Sequence, residues 1–191
     1  MTEAMDAGGA ADPSWTPARG AAQAEAALGR LAVVAWCCDL LTGRLAPDDP
    51  DGPPLEWIGG APGTFPLERW QRPDQAYWPR VWAIRAFRYI WDPSAEPAVR
   101  RALGDESWRV REHACTVVAL REVPDVADQL AELTSDEVPR VRRAACTSLA
   151  AVGEAEHADA LRAAMEDADP TVRGRADRAL DGLARRLDRP L

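Results

Sequence analysis

Apolar residues fall three and four positions apart in three separate stretches of the chain: Val110, Ala114, Val117 and Val118; Val141, Ala145 and Leu149; and Val172, Ala176, Ala179, Leu180 and Leu183. That spacing gathers each set on one side of an α-helix and predicts a buried stripe. The stretches are copies of one another. Asp105 with Val110, Arg111 and Ala114 returns as Asp136, Val141, Arg142 and Ala145, and again as Asp167, Val172, Arg173 and Ala176, at a constant step of 31 residues. Between them Val99, Leu130 and Leu161 share one phase and Ala102, Leu133 and Ala164 share the contact three residues on, so each unit carries a second helix. A fixed period of this length marks stacked supersecondary units that bury one another's apolar faces. The pattern therefore predicts an all-α chain, a right-handed α-solenoid of three to four helix pairs.

The ends of these helices are also written in the residues. Asp105, Asp136 and Asp167 stand shortly before each long helix, where a carboxylate accepts from free amides and meets the positive end of the helix dipole. Pro139 and Pro170 fall at first turns, where a missing N–H does no harm. Pro124, Gly153 and Gly104 separate one helix from the next. Ahead of the regular units the pattern changes. Pro79, Arg80 and Val81 echo Pro139, Arg140 and Val141, but the step from Val81 to Val110 is 29 residues and Trp82 stands where the repeat wants Arg. Residues 21–45 read as one helix with Ala24, Leu28, Leu31, Ala35, Cys38 and Leu41 on its stripe, begun at Thr16-Pro17 and capping the stack. Residues 46–66, rich in Pro, Gly and Asp, read as a surface loop. The expected organisation is a disordered segment over 1–15, a capping helix and loop over 16–76, and the repeat domain over 77–191.

The Asp, the Val-Arg pair and the Ala at a 31-residue period resemble HEAT repeats of the short, phycobilisome-lyase-like type, over about Tyr77 to Leu187. The resemblance implies a HEAT-like superhelix that presents a binding surface to another protein or peptide. It also implies that Arg111, Arg142 and Arg173 pair with the Asp of a neighbouring unit, so that Asp105, Asp136 and Asp167 form a structural ladder. Two other activities are known on similar folds: DNA glycosylases that bind DNA in a basic aromatic groove, and chromophore-lyase or chaperone roles toward a small molecule.

Charge and composition narrow the function. The basic residues are all Arg, and 31 Asp and Glu against 23 basic residues leave a net charge of -8. Such a chain repels phosphate backbones unless its arginines segregate onto one face, which disfavours nucleic acid. With the inner wall assigned to the second helices, the candidate groove residues are Arg100, Arg101, Asp128, Glu132, Asp159 and Arg162. Trp57, Trp70, Trp78, Trp82, Trp91 and Trp108 gather ahead of and within the early units, while the last two have none. Two readings stay open for them: an aromatic binding patch, or core that glues the N-terminal segment to the stack. Cys37, Cys38, Cys115 and Cys146 lack metal-ligand spacing and read as reduced, buried thiols of a cytoplasmic chain, so no metal and no cofactor is expected. Residues 1–14 do not read as a signal peptide, and the apolar run 31–38 is too short to span a bilayer. No phosphate-binding loop, nucleophile elbow or zinc-protease motif is present, and His113 and His157 have no nucleophile beside them, so catalysis is not expected.

Overall fold

The computed structural model describes residues 16–47, 49, 52–60 and 68–191, and among these the regular structure is helical, with no strand. The expected disordered segment 1–15 lies outside the described residues, as do residues 61–66 of the expected loop. The chain begins with α1 (Pro17–Leu28) and α2 (Arg30–Thr42), followed by the short turns α3 (Glu56–Gly59) and α4 (Glu68–Gln71). Long and short helices then alternate: α5 (Trp78–Ala86), α6 (Glu96–Ala102), α7 (Trp108–Arg121), α8 (Ala127–Leu133), α9 (Pro139–Val152), α10 (Ala158–Ala164) and α11 (Pro170–Arg186).

The 31-residue period holds in three dimensions. Val110, Val141 and Val172 are each 0% exposed, and Ala114, Ala145 and Ala176 lie beside them in the same core. Each repeat opens with a carboxylate turn: Asp105 accepts from the Ser107 amide at 2.8 Å, Asp136 from Val138 at 2.8 Å and Asp167 from Asp169 at 2.7 Å. These local bonds satisfy amides that precede the first helical turn and fix the angle at which the chain enters the helix.

The same carboxylates join neighbouring repeats. Arg111 donates through Nε and Nη2 to Asp136 at 2.7 and 3.1 Å, and Arg142 does so to Asp167 at 2.6 and 2.8 Å. Arg80 makes the equivalent fork to Asp105 at 2.9 and 3.2 Å. Arg80, Arg111 and Arg142 keep the 31-residue step, so the first unit is in register through its arginine, and Trp82 does not occupy the arginine position. Anchoring that unit on Val81 misplaced it by two residues.

The N-terminal region departs further from expectation. A single helix over 21–45 is interrupted at Gly29, whose φ of 83° is accessible to glycine and strained for other residues. The interruption resets the phase of the buried face: Leu28 and Leu31 are exposed at 39% and 65%, while Val33, Val34, Trp36 and Cys37 turn inward. α2 packs on α5 and α6 and covers the end of the stack. The Pro/Gly-rich stretch is not wholly a surface loop either, because Leu55, Trp57 and Ile58 are buried against α1 and α5. Gly20 makes that approach feasible, since a Cβ there would sit 2.3 Å from the carbonyl oxygen of Trp57. All four cysteines are free and buried, and burial pushes the Cys38 and Cys146 thiols up to about 11 and Cys115 up to about 12. Among the described residues no helix is long and apolar enough to cross a membrane.

Candidate functional site

The two helical layers pack differently. α7 lies along both α5 and α9, and α9 lies along α11, whereas α8 and α10 touch at only a few points. A stack that is closed in one layer and splayed in the other curves toward the closed layer. The inner wall is therefore the row of long helices, in place of the short helices that sequence reasoning assigned to it. The six predicted groove residues sit on the splayed row, several of them engaged locally. Arg100 donates to the Pro124 carbonyl at 2.9 Å, Asp159 and Arg162 pair at 2.6 Å, and Asp128 Oδ1 lies 3.2 Å from Nε2 of the buried His157. His157 in turn accepts the Glu154 amide through Nδ1, which assigns the ring to holding a turn. Arg101 lines a shallow cavity with Arg80, Asp105 and Glu106, and Glu132 is exposed on α8. These residues are not brought together at one site.

The long-helix wall has a different character. Positions 109, 112, 113, 116 and 119 of α7 share one face by helical spacing, and the 31-residue step carries that face to α5, α9 and α11. It holds Arg85 with Arg88 in the following turn, then Arg109, Arg140, Arg143, Arg175 and Arg178, and its only acids are Glu112 and Asp181. A cleft of about 320 Å³ crosses α7, α9 and α11 here, lined by Glu112, Thr116, Arg143, Thr147 and Arg175 and by no residue of a short helix. The field is felt by His113. Burial first, and then Arg85, Arg88 and Arg140, lower its pKa to about 4, so it stays neutral near pH 7.

Among the described residues only one of these arginines pairs with a carboxylate, Arg140 with Glu112 at 3.0 Å. Arg175 has a buried Nε with no hydrogen-bond partner. Arg109 stacks over Trp108 at 4.3 Å from the ring centroid, with Arg140 on the same indole at 5.3 Å, and also faces Tyr77 at 5.5 Å and Trp78 at 5.6 Å. Such cation–π contacts hold guanidinium groups against the aromatic faces of the wall.

The predicted aromatic patch divides in two. Trp57, Trp70 and Trp82 are buried, as is Trp36, while Trp78, Trp91 and Trp108 are half-buried. Trp70 meets Trp82 edge-on at 4.8 Å, and Trp78 stacks on Trp82 at 6.3 Å. Trp78 and Trp82 occupy the positions of Arg109 and His113 one repeat earlier, so the aromatic cluster continues the arginine-rich wall. Sequence comparison missed that wall because, of its arginines, only Arg109 and Arg140 stand one period apart: Arg143 has Glu112 and Gly174 as counterparts, and Arg175 has His113 and Ala144.

Among the described residues no group of His, Cys, Asp and Glu is arranged to hold a metal ion. A family model for HEAT repeats matches residues 67–138 and, overlapping them, 105–181. No curated protein matches the chain.

Proposed function

The chain belongs to the HEAT-repeat family, and from that premise we propose that it is a non-catalytic interaction module whose long-helix wall docks an acidic segment of a partner protein. The observation that carries this reading is the segregation of charge. A protein of net charge -8 places seven arginines against two acids on one wall, and most of those arginines have no carboxylate partner among the described residues. Uncompensated charge beside half-buried aromatic surface gives a partner both steering and anchoring contacts. Arg143 and Arg175 sit in the cleft at the centre of the wall and Trp108 flanks it. No residue of the chain is assigned a catalytic role.

Binding of a fluorescein-labelled peptide rich in Asp and Glu to the full chain tests the proposal. Saturable binding that weakens with salt, and that drops about tenfold in the Arg143→Glu, Arg175→Glu double variant at unchanged melting temperature, supports it. No binding, or binding indifferent to that double change, refutes it. The same wall supports a second reading, since segregated arginines remove the charge objection to a phosphate backbone. Duplex DNA bound more tightly than the peptide at matched salt moves the conclusion there.

A further inference from the structure

At the N-terminal end of the inner wall the aromatic cluster leaves a cavity of about 400 Å³, lined among others by Gly59, Trp70, Gln75, Trp78, Trp82 and Arg85. Its shape is fixed from beneath. A Cβ at Gly59 would lie 2.8 Å from Cε3 of Trp82, so that indole rests directly on the backbone of α3 and cannot settle further into the space. Trp70 and Trp78 hold Trp82 from the edge and from the face. Three indoles so arranged give a stiff, mainly apolar wall, because each ring's two torsions are already restrained by packing.

One polar group of this lining, Arg85, is out of balance. Arg85 donates through Nη2 to the Ile58 carbonyl at 2.8 Å, which fixes the plane of the guanidinium. Its Nε is buried without a hydrogen-bond partner, and among the described residues no carboxylate lies within ion-pair distance. Arg80, Arg111 and Arg142 in the same layer each hold an aspartate with both edges of the fork. Arg85 instead lines a cavity walled by tryptophan. Burial, with a contribution from the neighbouring Arg88, lowers its pKa from the ordinary value, as expected of a cation removed from water without a counter-ion. A guanidinium left in this state gains most from an anion that brings its own apolar body. The lining's other guanidinium, Arg69, lies over the Trp70 ring at 5.6 Å, and a free inorganic anion would surrender its hydration to enter among three indoles.

We propose that this cavity binds a small planar aromatic carboxylic acid, with its carboxylate on the free edge of Arg85 and its ring against Trp78 and Trp82. The volume suits such a ligand, holding roughly a dozen non-hydrogen atoms at about 30 Å³ each. The carboxylate supplies the planar two-oxygen geometry that the guanidinium edge accepts. This site does not depend on the docking of a partner on the arginine wall, and either can fail alone.

The test is calorimetric titration of the full chain with 2-naphthoate and with its neutral counterpart 2-naphthamide. Saturable binding of the acid at one site, about tenfold weaker binding of the amide, and no displacement by millimolar inorganic phosphate support the proposal. The comparison of acid with amide uses the unaltered protein, so it stands even if a variant folds poorly. In Arg85→Gln the preference for the acid disappears, while circular dichroism stays native. Absence of naphthoate binding overturns the proposal, as do equal affinities for acid and amide, or displacement by phosphate. A natively folded Arg85→Gln that retains the acid's advantage overturns it too.

Discussion

The two ends of this stack reach a closed core by different means. From α7 onward the chain packs Val110, Val141 and Val172, and Ala114, Ala145 and Ala176, in the same places at every step, and an arginine–aspartate fork ties each repeat to the next. Ahead of α7 the core is built around Trp36, Trp57, Trp70, Trp82 and Phe87, and no Trp, Tyr or Phe follows Trp108 in the later repeats. The regular half relies on repetition, so any one interface resembles its neighbours and tolerates loss of a part. The aromatic half relies on single large side chains that fit one surrounding each, and it can leave a cavity of defined shape where the fit is incomplete. Binding of a small ligand belongs to the second kind of core, and recognition along an extended wall to the first.

The largest effect is expected where a single aromatic side chain spans several elements. Trp82→Ala removes an indole that is 2% exposed and touches α3, Trp70 and Trp78, and a loss of about 3–5 kcal/mol follows. Because the later repeats keep their own ladder and stripe, urea unfolding should split into two steps. Tryptophan fluorescence should report the first and far-ultraviolet circular dichroism the second. A single cooperative transition at lower urea would mean that the two halves depend on each other more closely than their cores suggest.

How much of this was legible beforehand follows the same division. The period of 31 exposed α7 to α11, the buried valines and the arginine–aspartate forks, since identical physical demands select similar residues at equal steps. Arg80 obeys that step as well, yet aligning on Val81 hid it, because Pro79 stands where the later repeats carry Val110, Val141 and Val172. Gly29 was legible as a glycine but not as a break, since its neighbours Leu28 and Leu31 continue a helical spacing that the folded chain leaves in solvent. The burial of Trp57 and Ile58 within a Pro/Gly-rich stretch depends on the facing Gly20, a contact 37 positions away in sequence that no local pattern encodes. Periodicity also fails to say which layer of a stack is the inner one. That depends on how closely each row packs, and it moved the candidate surface from Arg100 and Glu132 to Arg143 and Arg175.

Next in size is the ladder. In Arg142→Ala the Asp167 carboxylate, with its side chain 8% exposed, loses both guanidinium bonds, and the carbonyls of Asp136 and Glu137 lose theirs. A loss of about 3 kcal/mol is expected from leaving one partner of a largely buried pair unmatched. Arg173→Ala is the internal control. Arg173 keeps the two carbonyl bonds, to Asp167 and Ala168, but has no carboxylate across from it and is exposed, so the loss should be under about 1 kcal/mol. Equal losses in chemical denaturation would show that the carbonyl bonds, not the ion pairs, hold the repeats in register. The pair also has a signature in pH. The fork from Arg142 is the leading cause that holds the Asp167 carboxyl below its ordinary 3.8. The unfolded chain therefore takes up that proton at higher pH than the folded one. The stabilisation is complete above the unfolded value and is lost as pH falls through the lower folded value. Asp167→Asn should accordingly flatten the acid limb of a plot of stability against pH below about pH 4, and an unchanged limb would assign acid unfolding to other carboxylates.

The finest contrast comes from making one substitution in both halves. At Gly59, a new Cβ meets Trp82 Cε3 at 2.8 Å and Cδ2 at 3.0 Å, and the indole has no room to retreat from the backbone it rests on. Gly59→Ala should cost about 1–3 kcal/mol by overpacking. Gly174 lies inside α11, where the nearest atoms to a new Cβ are the terminal nitrogens of Arg178 at 3.6 and 3.9 Å, the far end of a flexible side chain. There Gly174→Ala restricts the unfolded chain and favours the helix, and it should stabilise by about 0.5–1 kcal/mol. Opposite signs in paired denaturation curves would place the tight, singular fit in the aromatic half and the looser, propensity-driven fit in the repeats. If Gly59→Ala proves neutral, Trp82 can move, and a cavity bounded by a movable indole would lose the fixed shape on which its selectivity for a planar acid depends.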